Sequence, residues 1–120
     1  MKNRLQRELS RLASVEYQRR YVVRGMKDEY ALPEELVGNA ESVARLALER
    51  IALSERERKA LESFLRTVKS KSEAVESALT CRTTTNLELI ENSPDWRTLR
   101  AAAIRCLAEL GMPVQKVEGL

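Results

Sequence analysis

The stretch SPDWRTLRAAAIRCLAELGMP, residues 93–113, reads as one complete helix and decides the fold class. Ser93 is a natural cap for free backbone N–H groups. Pro94 suits the first helical position, where its missing N–H costs nothing. Trp96, Leu99, Ala103, Leu107 and Leu110 fall on one stripe at helical spacing. Gly111 supplies a stop, with Pro113 just beyond it. A helix with a start, an end and one apolar face has to bury that face against a partner.

The segments before it supply such partners. Ser54-Glu55-Arg56-Glu57 is a capping box, in which hydroxyl and carboxylate satisfy free N–H groups reciprocally. Leu61, Phe64, Leu65 and Val68 follow on one face, and Val75 and Leu79 stay in phase to about Thr80. Ser70 and Glu73 form a second box at which this helix would divide; the continuous reading is preferred. Upstream, Pro33 opens another helix, with Glu34 and Glu35 favourably placed near its N-terminus. Leu36, Ala40, Val43, Ala47 and Ile51 carry its stripe, and Gly38-Asn39 is a candidate interruption. The first helix is expected over Arg4–Arg24, with Leu5, Leu9, Leu12, Val15, Val22 and Val23 on one face, Tyr17 and Tyr21 on another, and Gly25 as its stop. Thr80–Asn86 is the poorest helical stretch, since Thr83, Thr84 and Thr85 are β-branched. It fits a loop, a short strand with Leu87 and Leu89 at period two, or a one- or two-turn helix capped by Thr85 and Glu88.

These readings predict an all-α fold. It is an irregular bundle of about four main helices, built as two stacked helical hairpins over 4–53 and 55–111, in one domain spanning 1–120. Composition agrees: hydrophobic residues make up 43% but aromatics only 4%, so Leu, Val, Ile and Ala form the core. Three prolines and four glycines leave little for the many tight turns of an all-β fold.

Within the last helix, Leu99-Arg100, Ala102-Ala103, Leu107 and Leu110-Gly111 follow an acidic start at Asp95. This pattern resembles a HEAT-repeat helix, although Ala108 stands where many repeats have glycine. The resemblance covers Asp95–Gly111 alone, without a convincing second copy. It implies a helical-hairpin stack used for binding rather than catalysis.

Little in the chain suggests catalytic chemistry. Histidine is absent, which removes the commonest general base and metal ligand. The glycines are isolated, without a phosphate-cradling loop, and no serine sits in a GxSxG context. Cys81 and Cys106 lack the spacing of a zinc or redox motif, and Cys106 fits a buried helical position. The acidic pairs Asp28-Glu29 and Glu34-Glu35 read as solvated surface. The expectation is no enzyme, no cofactor and no metal. No apolar run is long enough for a signal peptide or a membrane span, so a soluble, cytoplasmic protein is expected.

Charge is more informative. Residues 1–27 carry eight Lys/Arg against Glu8 and Glu16, a net of +6; residues 28–41 carry five acids and no base, a net of −5; the remainder adds +2. In the acidic segment, Asp28, Glu29, Glu34 and Glu35 surround Tyr30, a residue type favoured at interfaces. This is the expected docking surface of a bacterial-style inhibitor or regulator of a partner protein, such as a toxin immunity protein or antitoxin facing a basic toxin or nuclease. The alternative is a nucleic-acid-associated regulator. There, Arg4, Arg7 and Arg11 would track phosphates while Tyr17 and Tyr21 stack bases. A third reading is an adaptor or structural subunit of a larger assembly. Homodimerisation through the first helix is also open.

Overall fold

The computed structural model describes residues 2–23, 32–80 and 86–115, which are helical apart from short connections and contain no strand. Helix α1 spans Lys2–Ala13, α2 spans Val15–Gln18 and runs into a π-helical turn at Arg19–Val23. Helices α3 (Pro33–Arg50), α4 (Glu55–Thr80), α5 (Asn86–Asn92) and α6 (Pro94–Glu109) follow. The all-α bundle expected from the apolar stripes is what forms.

The first helix is not continuous over Arg4–Arg24 as its periodicity predicts. It breaks at Ser14, whose backbone is extended (φ −92°, ψ 110°) and whose hydroxyl accepts from the Tyr17 N–H at 3.1 Å. Two things make the break tolerable. Ser14 keeps a backbone bond on either side, its N–H donating to Ser10 O at the end of α1 and its carbonyl accepting from Gln18 N in α2. The Gln18 side-chain amide also turns back to donate to Leu12 O at 2.7 Å and Arg11 O at 3.0 Å, occupying carbonyls that a helix end leaves open.

Elsewhere the stripes prevail over local interruptions. Helix α3 runs through Gly38-Asn39 for 18 residues, held by buried Leu36, Ala40, Val43 and Ala47. Helix α4 runs through Ser70 for 26 residues. Residues 81–85 lie outside the described residues, but Asn86–Asn92 is a short helix and not a strand. Leu89 and Ile90 are both buried while Leu87 is exposed, and neighbours in a strand would face opposite ways. The ends of α6 are as the sequence dictates. Ser93 Oγ accepts from Trp96 N at 3.2 Å. Gly111 takes φ +71° so that Met112 N–H reaches back to Leu107 O at 2.9 Å.

Helix α1 packs on α3 and α6, and α4 packs on the same two, so the four long helices close a ring around one buried cluster. A repeat solenoid keeps its contacts between sequence neighbours; here the first and last long helices touch. Helix α5 seats on the π-helical turn and on α6.

Candidate functional site

The acidic edge is described only in part: Asp28, Glu29 and Tyr30 lie outside the described residues. Glu34 and Glu35 occupy the first turn of α3 and are exposed, with no ion pair to either among the described residues. Beside them Leu32 leaves 38% of its surface in water, while Pro33, Leu36 and Val37 are buried and fix the turn to the core. Leu32 contributes no side-chain cap, so the two carboxylates are the negative charges that oppose the positive end of the helix dipole. The result is a rigid corner presenting two free acceptors and one apolar side chain.

The basic stripe is less positive than it reads. Arg4 is exposed without a partner among the described residues. Arg7 Nε lies 3.2 Å from Glu8 Oε1, and Arg11 Nη1 lies 3.6 Å from the same oxygen. The Glu8 side chain is only 7% exposed, and its Oε2 is buried without a hydrogen bond. Thus the carboxylate that interrupts the stripe in sequence also offsets it in space.

The structure does bring Arg11, Tyr17 and Tyr21 together, and it adds Arg20. The tyrosine ring centroids are 4.5 Å apart at 31°. The Arg11 guanidinium lies 5.4 Å from the Tyr17 centroid, and that of Arg20 lies 5.2 Å from the Tyr21 centroid. This Arg–Tyr–Tyr–Arg ladder is half-buried, and burial pushes the Tyr17 hydroxyl above its ordinary range despite the opposing charge of Arg11. Arg20 gives no sign in the sequence, because adjacent helical residues do not ordinarily share a face.

Behind the ladder lies a buried polar node that sequence reasoning missed. Gln18 is fully buried, and its Oε1 accepts from Trp96 Nε1 at 3.0 Å and from Arg100 Nη2 at 3.1 Å. Arg100 also donates to Ile90 O at 2.7 Å, and burial holds its guanidinium below the usual arginine range. Arg19 forms a two-pronged pair with Glu91, at 2.5 and 2.9 Å. This node joins α2, α5 and α6, which fixes the base on which the ladder stands.

A groove of about 470 Å³ lies between α4 and α6, floored by Phe64 and Cys106. Burial pushes the Cys106 thiol up to about 12, so it is neutral at physiological pH and unsuited to nucleophilic attack. Among the described residues no group of three or more Cys, Asp or Glu is placed to hold a metal ion. Nor is any helix there long and apolar enough to cross a membrane. Compared with known families, with curated proteins and with solved structures, the chain shows no significant match.

Proposed function

We propose that this chain is a non-catalytic protein-binding module that inhibits or regulates a partner, docking through the acidic corner at the start of α3. The observation that carries the reading is the corner itself: Glu34 and Glu35 are exposed and unpaired beside the exposed Leu32, on a turn anchored by buried Pro33. An apolar contact beside two acceptors at an anchored helix start suits a basic partner surface. A toxin or nuclease with a cationic cleft is such a partner, and an immunity protein or antitoxin is the corresponding role. Asp28, Glu29 and Tyr30 precede the corner in sequence and extend the same acidic character.

Nucleic-acid binding through the first helix is the second reading, supported by the juxtaposition of arginines and tyrosines in the ladder. It ranks lower for two reasons. Glu8 offsets Arg7 and Arg11, and each tyrosine ring is already engaged by a guanidinium and by the other ring.

The test is capture from the native host with the tagged chain and with a Glu34→Lys/Glu35→Lys variant, fold being checked by circular dichroism. The expected result is one stoichiometric protein partner, lost from the variant and weakened by salt. Equal capture by a folded variant would remove the corner from the interface. Recovery of nuclease-sensitive nucleic acid instead of protein would favour the second reading.

A further inference from the structure

Helices α4 and α6 are clasped at two levels. Arg56 Nε meets Glu109 Oε2 at 2.8 Å, and Lys71 Nζ meets Asp95 Oδ1 at 3.5 Å. The pairs run in opposite directions along the two helices, so the helices are antiparallel. By the register they set, Lys59 and Ala60 stand level with Arg105 and Cys106. Between the clasps the facing residues are small: Ala60, Ser63 and Ala102 line the groove above Phe64 and Cys106. Small side chains on both walls leave a space between the helices, and about 470 Å³ lies within the range of small-molecule sites.

The charge on the walls is not balanced. Glu109 is taken by Arg56. Glu55 and Lys59 approach only to 4.0 Å, both about three-quarters exposed and loosely held. Arg105 is exposed and has no partner among the described residues. A cation is therefore left over at the level of the apolar floor, facing Lys59 across the slot.

We propose that this groove binds a small amphiphilic anion, with its apolar body against Ala60, Phe64, Ala102 and Cys106 and its anionic head between Lys59 and Arg105. A partner helix is the less suitable occupant. The Arg56–Glu109 clasp crosses between the two walls at one end, and a helix roughly 10 Å wide would have to ride above it rather than enter. This site is distinct from the acidic corner on α3, and the two readings stand or fall separately.

The full-length chain, isotopically labelled, is titrated with decanoate and, as a neutral control, with decanol, following backbone amide shifts. Saturable shifts confined to residues 59–67 and 102–109 are expected. A Lys59→Gln/Arg105→Gln variant should bind decanoate about tenfold more weakly, while decanol affinity stays the same. An Ala60→Leu variant, which fills the slot from an already half-buried position, should lose both ligands; its thermal midpoint shows whether it is folded. Absence of saturable shifts, shifts centred elsewhere, or equal decanoate affinity in the charge variant overturns the proposal. So does a captured protein partner that shifts these amides when decanoate does not, which would assign the groove to protein docking.

Discussion

Gln18 joins three parts of the chain that are far apart in sequence: the carbonyls ending α1, the indole of Trp96 and the guanidinium of Arg100. Its amide donates on one side and accepts on the other, a combination no apolar side chain reproduces. Gln18→Leu leaves buried donors and acceptors unmatched, and is expected to cost about 3 kcal/mol in urea unfolding followed by Trp96 fluorescence. Nothing in the local sequence marks this residue, because its partners come from α1 and α6. Cys106 gives a prediction of a different kind. Its thiol, ordinarily near 9.0, is pushed up to about 12 by burial, so the folded chain holds the proton more tightly than the unfolded one. The resulting stabilisation is complete below about pH 9 and fades as the pH rises toward 12. A Cys106→Ala variant should therefore lose less stability than the parent over that interval, as read by denaturant midpoints at successive pH values.

At the scale of the helix, apolar stripes and caps were legible wherever they agreed. Ser54 and Glu57 form the reciprocal box their spacing predicts, with Ser54 N donating to Glu57 Oε1 at 2.9 Å and Glu57 N to Ser54 Oγ at 3.2 Å. That backbone bond from Ser54 is also the main reason the Glu57 carboxyl lies below its ordinary range. Pro33, Ser93 and Gly111 likewise mark the ends they were read to mark. The break at Ser14 was not legible, since the apolar pattern continues across it and the return of the Gln18 side chain onto α1, which helps to stabilise the break, leaves no local signal. At Gly38 the opposite holds: a glycine that looks like an interruption sits within an unbroken helix. A Cβ built there meets nothing within 4 Å. Gly38→Ala should raise stability by about 0.5–1 kcal/mol, seen as a higher midpoint without a change in m-value.

The whole molecule depends on closing the ring. Leu5, Leu9 and Leu12 of α1 belong to the same buried cluster as Trp96, Leu99 and Leu107 of α6. Two further bonds tie these ends together: Gln6 Nε2 to Pro113 O at 2.8 Å and Gln115 N to Ser10 Oγ at 2.9 Å. A chain starting at residue 32 removes α1 together with Gln18, and should melt without a cooperative transition in far-ultraviolet circular dichroism. A retained sigmoidal transition would show that α3, α4 and α6 suffice. Of the candidate surfaces, the carboxylates of the acidic corner could be placed on a helix start from sequence. The ladder and the groove needed the tertiary register, because each is assembled across a break or between two helices. The contact of α1 with α6 also has a bearing on biosynthesis. Helix α1 leaves the ribosome before α6, so its apolar face has no complete shelter until residues 94–109 follow. Until then Leu5, Leu9 and Leu12 are open to chaperones and proteases on the side that α6 covers, and the synthesis of α6 ends that exposure.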